Sequence, residues 1–291
     1  MQNQTSSGRL VRVLSALYCE TWLIRPEMHK TLSDIAVAHS EGGALEDAQH
    51  KLASAMKKNP KAKEYGMAGS TAVVPVEGVI GRKFSNTLRS SGVVSVDVFE
   101  RLIRVAADDD DVSSIVLSFD SPGGIAMGVL EAAAAVAYAN TIKPVIAYAD
   151  GLMDSAAYWL ATNASAIYAT ESAKVGSIGV YLALLDQSRA AEMAGLKVEM
   201  IKSGKYKGMG YPGTSLTEPQ REMLQSKVDK LGDKFRSAVR RGRARDISDD
   251  VMQGQSFSVE DALANGLIDG VSDMAKAMRD AEALAKLRAR R

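Results

Sequence analysis

One cysteine, Cys19, stands in the whole chain, so no intrachain disulfide is possible and a reducing compartment is expected. Histidine is nearly as scarce: His29, His39 and His50 all lie near the N-terminus. The rest of the chain therefore cannot supply a Ser-His-Asp triad. With so few cysteines and histidines, nothing falls at metal-ligand spacing, and no metal site is expected. Neither Gly-x-Gly-x-x-Gly nor a phosphate-binding loop occurs, so no cofactor is expected either. Long apolar runs are also missing. Val13 to Tyr18 is too short for a signal core, with Arg12 and Glu20 close by, and Ala132 to Ala139 is far below spanning length. The chain is read as cytoplasmic and without a membrane anchor. A net charge of +1 gives no global attraction to nucleic acid or an anionic membrane.

What is present fits a soluble domain with a real core: 46% of residues are hydrophobic and 24% charged. Residues 9–24 carry apolar side chains near helical spacing, and a second helix is expected from about Pro26 to His39. Glu41-Gly-Gly43 then breaks the pattern. Residues 1–69 are read as a helical arm and linker, docked on the same chain or on a sister subunit.

From Thr71 short apolar strands alternate with helices of 10–15 residues, which indicates an α/β domain with crossover units. Strands are expected at Ala72–Val76, Ser114–Phe119, Pro144–Ala149, Ala166–Ala169, Ile178–Ala183 and Lys197–Lys202, with Pro75 favouring an edge or bulge. Helices are expected at 96–107, 125–139, after Ser155, and at 186–194. Thr217-Glu-Pro-Gln220 matches a capping box before a long helix reaching about Arg241. Ser258 starts a shorter helix, Gly266 ends it, and the basic tail 273–291 reads as helical. The arginine clusters at 240–244 and 288–291 read as solvated helix faces.

The chemistry converges on four short stretches. Ser155, in Asp154-Ser-Ala-Ala-Tyr-Trp-Leu-Ala161, follows a strand and opens a helix, where unpaired N–H groups favour negative charge. Taken alone, it reads first as an ordinary helix N-cap. As a nucleophile it would need a carboxylate or a lysine as base. Lysine serves only if burial brings its pKa from about 10.4 toward about 7. Lys202-Ser-Gly-Lys-Tyr-Lys-Gly208 offers Lys202, Lys205 and Lys207, among which spacing does not choose; the plain alternative is a solvated basic loop. Asp120-Ser-Pro-Gly-Gly124 could turn backbone N–H groups toward an oxyanion, although the same residues also make a common turn. Ser177, in Val175-Gly-Ser-Ile-Gly-Val180, could orient a neutral amine or simply bond to backbone.

In that order and spacing, these four stretches resemble the signal peptide peptidase A family of Ser-Lys proteases. Gly254-Gln-Ser-Phe257, Ala262 and Gly266-Leu-Ile-Asp269 resemble its C-terminal signature, so the likeness covers roughly residues 70–272. The resemblance implies a nucleophile at Ser155, a general base at Lys207 and a lysine-orienting hydroxyl at Ser177. It also implies oxyanion donors at the N–H groups of Gly124 and Ala156, with Gly123 the alternative to Gly124. The implied fold is the Clp-protease/crotonase type, built of repeated ββα units and assembled into homo-oligomeric rings.

The arm Arg9–Tyr18 with Trp22-Leu-Ile-Arg-Pro-Glu27 is similar to the leading segment of phage and prophage members, the head maturation proteases. That likeness implies cleavage of scaffold or capsid proteins. Three rival expectations remain: a host cytoplasmic peptide-degrading protease of the same family, a non-catalytic capsid-associated protein, and an acyl-CoA enzyme of the crotonase fold.

Overall fold

The computed structural model describes residues 21–30, 65–82 and 93–290. The strands form two sheets. The strands are β1 (Trp22–Ile24), β2 (Gly66–Ala68), β3 (Thr71–Glu77), β4 (Val79–Gly81), β5 (Val93–Ser95), β6 (Ser114–Ser121), β7 (Gly123–Ile125) and β8 (Val145–Asp154). They continue with β9 (Ala166–Ala169), β10 (Lys174–Gly176), β11 (Ser256–Phe257) and β12 (Gly270–Val271). The helices are α1 (Val96–Asp108), α2 (Val129–Ile142), α3 (Ala156–Ala161), α4 (Ser188–Met193), α5 (Glu218–Arg243), α6 (Val259–Ala264) and α7 (Met274–Arg288).

The larger sheet runs β11-β10-β8-β6-β3-β2, with β9 on β8 and β12 on β9. The smaller runs β1-β7-β4-β5. β3 and β6 pair in parallel in the first sheet, and their continuations β4 and β7 pair in parallel in the second. Each pair of strands is followed by a helix, α1 or α2, so the ββα repeat is visible in the connectivity. β2 covers only Thr71–Val73, which leaves Pro75 on an open edge where its missing N–H costs no ladder bond.

Alternate residues of the central strands face opposite sides. Ile115, Leu117 and Phe119 of β6 join Val145, Ala147 and Ala149 of β8 in the main core, against Phe99 and Ile103 of α1 and Val136 of α2. Val116, Ile146 and Tyr148 point the other way, onto Ala277 and Ala281 of α7. The tail helix is thus packed on the sheet, and Asp273 caps it by accepting from Lys276 N–H.

Several expectations change. Residues 22–24, expected inside a helix, form a strand, while 26–30 are helical; the rest of both expected arm helices lies outside the described residues. The expected turn at 120–124 is largely strand, because β6 continues to Ser121 and β7 starts at Gly123. β8 runs on to Asp154, with a register shift opposite Asp120. The strands expected at 178–183 and 197–202 do not form; β10 takes the sheet position instead. After Ser177 the chain leaves the sheet: Ile178 and Val180 still pack on the main core and Tyr181 bridges to Trp22, but Leu185, Met193, Leu196 and Ile201 are exposed among the described residues.

Candidate active site

Ser155 stands between β8 and α3 with φ 55° and ψ −116°. A non-glycine residue held there carries backbone strain of about 1–3 kcal/mol, which persists only where the surroundings impose it. They do: Ser155 N–H donates to Gly176 O at 2.8 Å, and its own carbonyl accepts from Trp159 N–H at 2.9 Å. The side chain makes no capping bond. The plain N-cap reading therefore fails, and the hydroxyl is left to do something else. Such a sharp strand-to-helix turn aims a nucleophile away from its own strand.

The neighbours are positioned just as firmly. β10 pairs Gly176 with Asp154, which sets the next residue, Ser177, beside Ser155. Ser177 is itself at φ 50°, with its N–H donating to Gln255 O at 2.6 Å. On the other flank Ser121 Oγ donates to Gly78 O at 2.6 Å and accepts from Gly123 N–H at 3.2 Å. Gly124 lies so close to β4 that a Cβ there would overlap the carbonyl oxygen of Ile80. Gly123, at φ 98°, is as constrained: a Cβ on it would overlap Leu23 O and come within 2.9 Å of Ser155 Cβ. Ala156 opens α3, where the first N–H groups have no intrahelical acceptor. The structure thus brings Gly123, Gly124, Ser155, Ala156 and Ser177 together.

Lys207 is different. It lies outside any helix or strand, is exposed, and makes no hydrogen bond to Ser155 among the described residues. The enclosed amine expected from the sequence is not formed among the described residues. Lys202 and Lys205 are exposed as well: Lys202 Nζ reaches Lys205 O at 3.4 Å, and Lys205 Nζ lies 4.8 Å from the Tyr206 ring centroid.

Several supporting residues were given no role in the sequence. Asp120 accepts from Leu152 N–H at 3.0 Å and braces the β8 bulge leading to Ser155. Asp154 is wholly buried and accepts from Ser256 Oγ at 2.9 Å on both oxygens, while Arg25 Nε stands 3.4 Å away. Burial pushes the Asp154 carboxyl up to about 6, against the opposing pull of Ser256 and Arg25. The Gly254–Phe257 stretch thus holds the site twice, through Gln255 O and through Ser256. Gly266–Asp269 acts further off: Arg243 donates to Gly266 O at 3.1 Å and to both oxygens of Asp269, at 2.6 and 2.9 Å. Burial alone would raise the Asp269 carboxyl; the bonds from Arg243 and from Ile167 N–H hold it below its usual value. Only the acidic residue before Ser155 could have drawn attention, since a charge at a strand end needs a partner. Among the described residues no group of acidic, histidine or cysteine side chains could hold a metal ion.

A buried serine on a strained turn, flanked by backbone donors, is the arrangement of a serine-nucleophile hydrolase. The profile of peptidase family S49 matches residues 137–288. The chain belongs to that family. It is 32% identical over 226 residues to capsid assembly protease C of Escherichia phage lambda, covering 76% of this chain and 51% of that one. Head-tail preconnector protein GP5 of Enterobacteria phage P21 is 30% identical over 226 residues, covering 75% and 45%. Protease 4 of Haemophilus influenzae is 27% identical over 227 residues, covering 77% and 36%. The chain thus spans about half the length, or less, of these curated relatives. Among solved structures, an enoyl-CoA hydratase/isomerase family member covers 76% of this chain and 74% of its own at 18% identity and TM-score 0.39, too loose a superposition to carry an argument. No described helix is long and apolar enough to cross a membrane.

Proposed function

We propose that the chain is a serine endopeptidase working through Ser155 and Lys207. The observation that carries this reading is the strained, uncapped Ser155 at the start of α3, in a chain of the S49 family. Lys207, enclosed and uncharged, takes the Ser155 proton as Oγ attacks the scissile carbonyl. The N–H groups of Gly124 and Ala156 stabilise the oxyanion, and the C–N bond breaks as Lys207 protonates the leaving amine. Lys207 then activates the water that hydrolyses the acyl-enzyme. Ser177, one register step beyond the Gly176–Asp154 pair, orients the amine. Removing one oxyanion donor in such sites typically loses about 10²–10³ in rate.

The cover for Lys207 comes from a second copy of the chain in a homo-oligomeric ring. The stretch that carries it also exposes Leu185 at 58%, Met193 at 82%, Leu196 at 65% and Ile201 at 97%. Such a patch on one segment marks an association surface, and burying it would strip water from the amine.

The substrates are scaffold or capsid proteins of a phage or prophage, processed in the bacterial cytoplasm or within the prohead. The likeness to the lambda capsid assembly protease and to P21 GP5 supports this. The test is incubation of wild type and Ser155→Ala with candidate scaffold and capsid proteins, with fragments read by mass spectrometry. Cleavage by wild type alone is expected. Absence of fragments, together with no labelling of Ser155 by a fluorophosphonate probe, would favour a non-catalytic capsid-associated protein instead.

A further inference from the structure

The arm strand β1 occupies the place where a substrate would have to lie. It pairs antiparallel with β7 in the register Trp22–Ile125, Leu23–Gly124 and Ile24–Gly123. Ala126 N–H donates to Thr21 O and Arg25 N–H to Pro122 O. Hydrogen-bonded pairs alternate along such a ladder, so Leu23 and Gly124 form the bonded pair between those two. The Gly124 N–H, needed for an oxyanion, is therefore directed at the Leu23 carbonyl. Gly123 offers no substitute, because its N–H is bonded to Ser121 Oγ. That same Leu23 oxygen and the Ser155 side chain flank one point beside Gly123.

The other edge of β1 is held as well. Trp22 N–H donates to Tyr181 O at 2.9 Å, and Tyr181 N–H donates to Trp22 O at 3.1 Å. An extended segment laddered on β7, with one carbonyl on the proposed oxyanion donor, is placed as a peptide that adds to a sheet edge. Its side chains fill their pockets: Trp22, Leu23 and Ile24 are no more than 2% exposed. Arg25 then ties the segment to Asp154, the residue before the nucleophile. Ser155 is left 1% exposed, which no protein substrate can reach.

We propose that β1 is an internal pseudo-substrate: Leu23 holds the position of the residue before a cleaved bond, and the site opens only when β1 leaves β7. This rests on Ser155 being the nucleophile. Opening exposes three buried apolar side chains to water. The closed state is therefore stable, and an incoming polypeptide or an assembly partner must offset it.

The test is a reversible tether on the full-length chain, Thr21→Cys with Ala126→Cys in a Cys19→Ser background. Bonded antiparallel partners stand about 5.5 Å apart at Cα, inside the disulfide range of about 4.4–6.8 Å. The readout is the rate at which a fluorophosphonate probe labels Ser155. Oxidation should slow labelling at least tenfold, and reduction should restore the wild-type rate. In parallel, Leu23→Pro, which removes the N–H that β1 gives to Gly124 O, should raise the rate severalfold.

Equal rates for oxidised and reduced protein would overturn the proposal while leaving Ser155 as nucleophile. So would slower labelling of a folded Leu23→Pro protein, a tether that fails to form, or a new N-terminus at Ile24 in the untethered protein. If wild type, reduced tether and Leu23→Pro all resist the probe at concentrations where the protein is assembled, the nucleophile assignment fails rather than the plug.

Discussion

The two halves of the proposed dyad sit in opposite surroundings. Ser155 is fixed by two sheets, a strained backbone and bonds from β10, and it is buried. Lys207 lies on an exposed irregular stretch between Ser177 and α5. The contrast teaches that strand register within one chain can set the proposed nucleophile beside the proposed oxyanion donors. The proposed base is left to a segment whose large apolar side chains are exposed among the described residues. The buried half is also the half that β1 covers.

The largest expected effect separates chemistry from folding. Lys207→Ala should reduce cleavage by at least about 10³-fold, as loss of a general base in a coupled pair does. Its melting temperature should match wild type, because an exposed side chain carries little stability. A comparable change in the buried half should do the reverse. Arg243→Ala takes from Gly266 O its guanidinium donor and from Asp269 two charged bonds, leaving Asp269 with Ile167 N–H and with Arg245 at 3.9 Å; it should lower stability by as much as about 3 kcal/mol, read from urea midpoints.

Asp154 gives a smaller effect with a definite sign. Its folded value of about 6 lies above the ordinary 3.8, so the folded state binds the proton more tightly. Stability linked to this group is complete below about pH 4 and is lost as pH rises through 6. At 1.36 kcal/mol per unit, the loss by neutral pH approaches about 3 kcal/mol. Asp154→Asn should flatten that part of the profile, checked by denaturant midpoints between pH 4 and pH 8. The smallest stability effect belongs to the exposed half. Ile201→Asp should change the unfolding free energy of the dissociated chain by no more than about 0.5 kcal/mol. It should nevertheless shift the protein toward monomer in sedimentation and reduce cleavage.

Much of this was legible in the sequence wherever a local signal and the global fold agree. The strand before Ser155, the capping box at Thr217, the Ser258 cap and the alternation of strands with helices all combine period and end signals, and the structure follows them. The misses have a common cause. β1, β7 and β10 are three-residue strands, too short to show a period, and they exist because partner strands wait at the right place. Gly123-Gly-Ile125 reads as a turn until the second sheet is known. Ile178–Ala183 has strand composition but meets β1 only at the Trp22–Tyr181 bridge, and Lys197–Lys202 joins no strand among the described residues. Likewise Arg25 carries no sequence mark of its role, since its partner Asp154 is brought to it only by the pairing of β1 with β7.

The central claim is that Ser155 is activated by a Lys207 that becomes enclosed on assembly. Fluorophosphonate labelling of Ser155, followed from dilute monomer to concentrated oligomer, tests it most directly. The account predicts that labelling rises with the assembled fraction and is lost at every concentration in Lys207→Ala. Labelling that ignores concentration, or that survives the loss of Lys207, would contradict it.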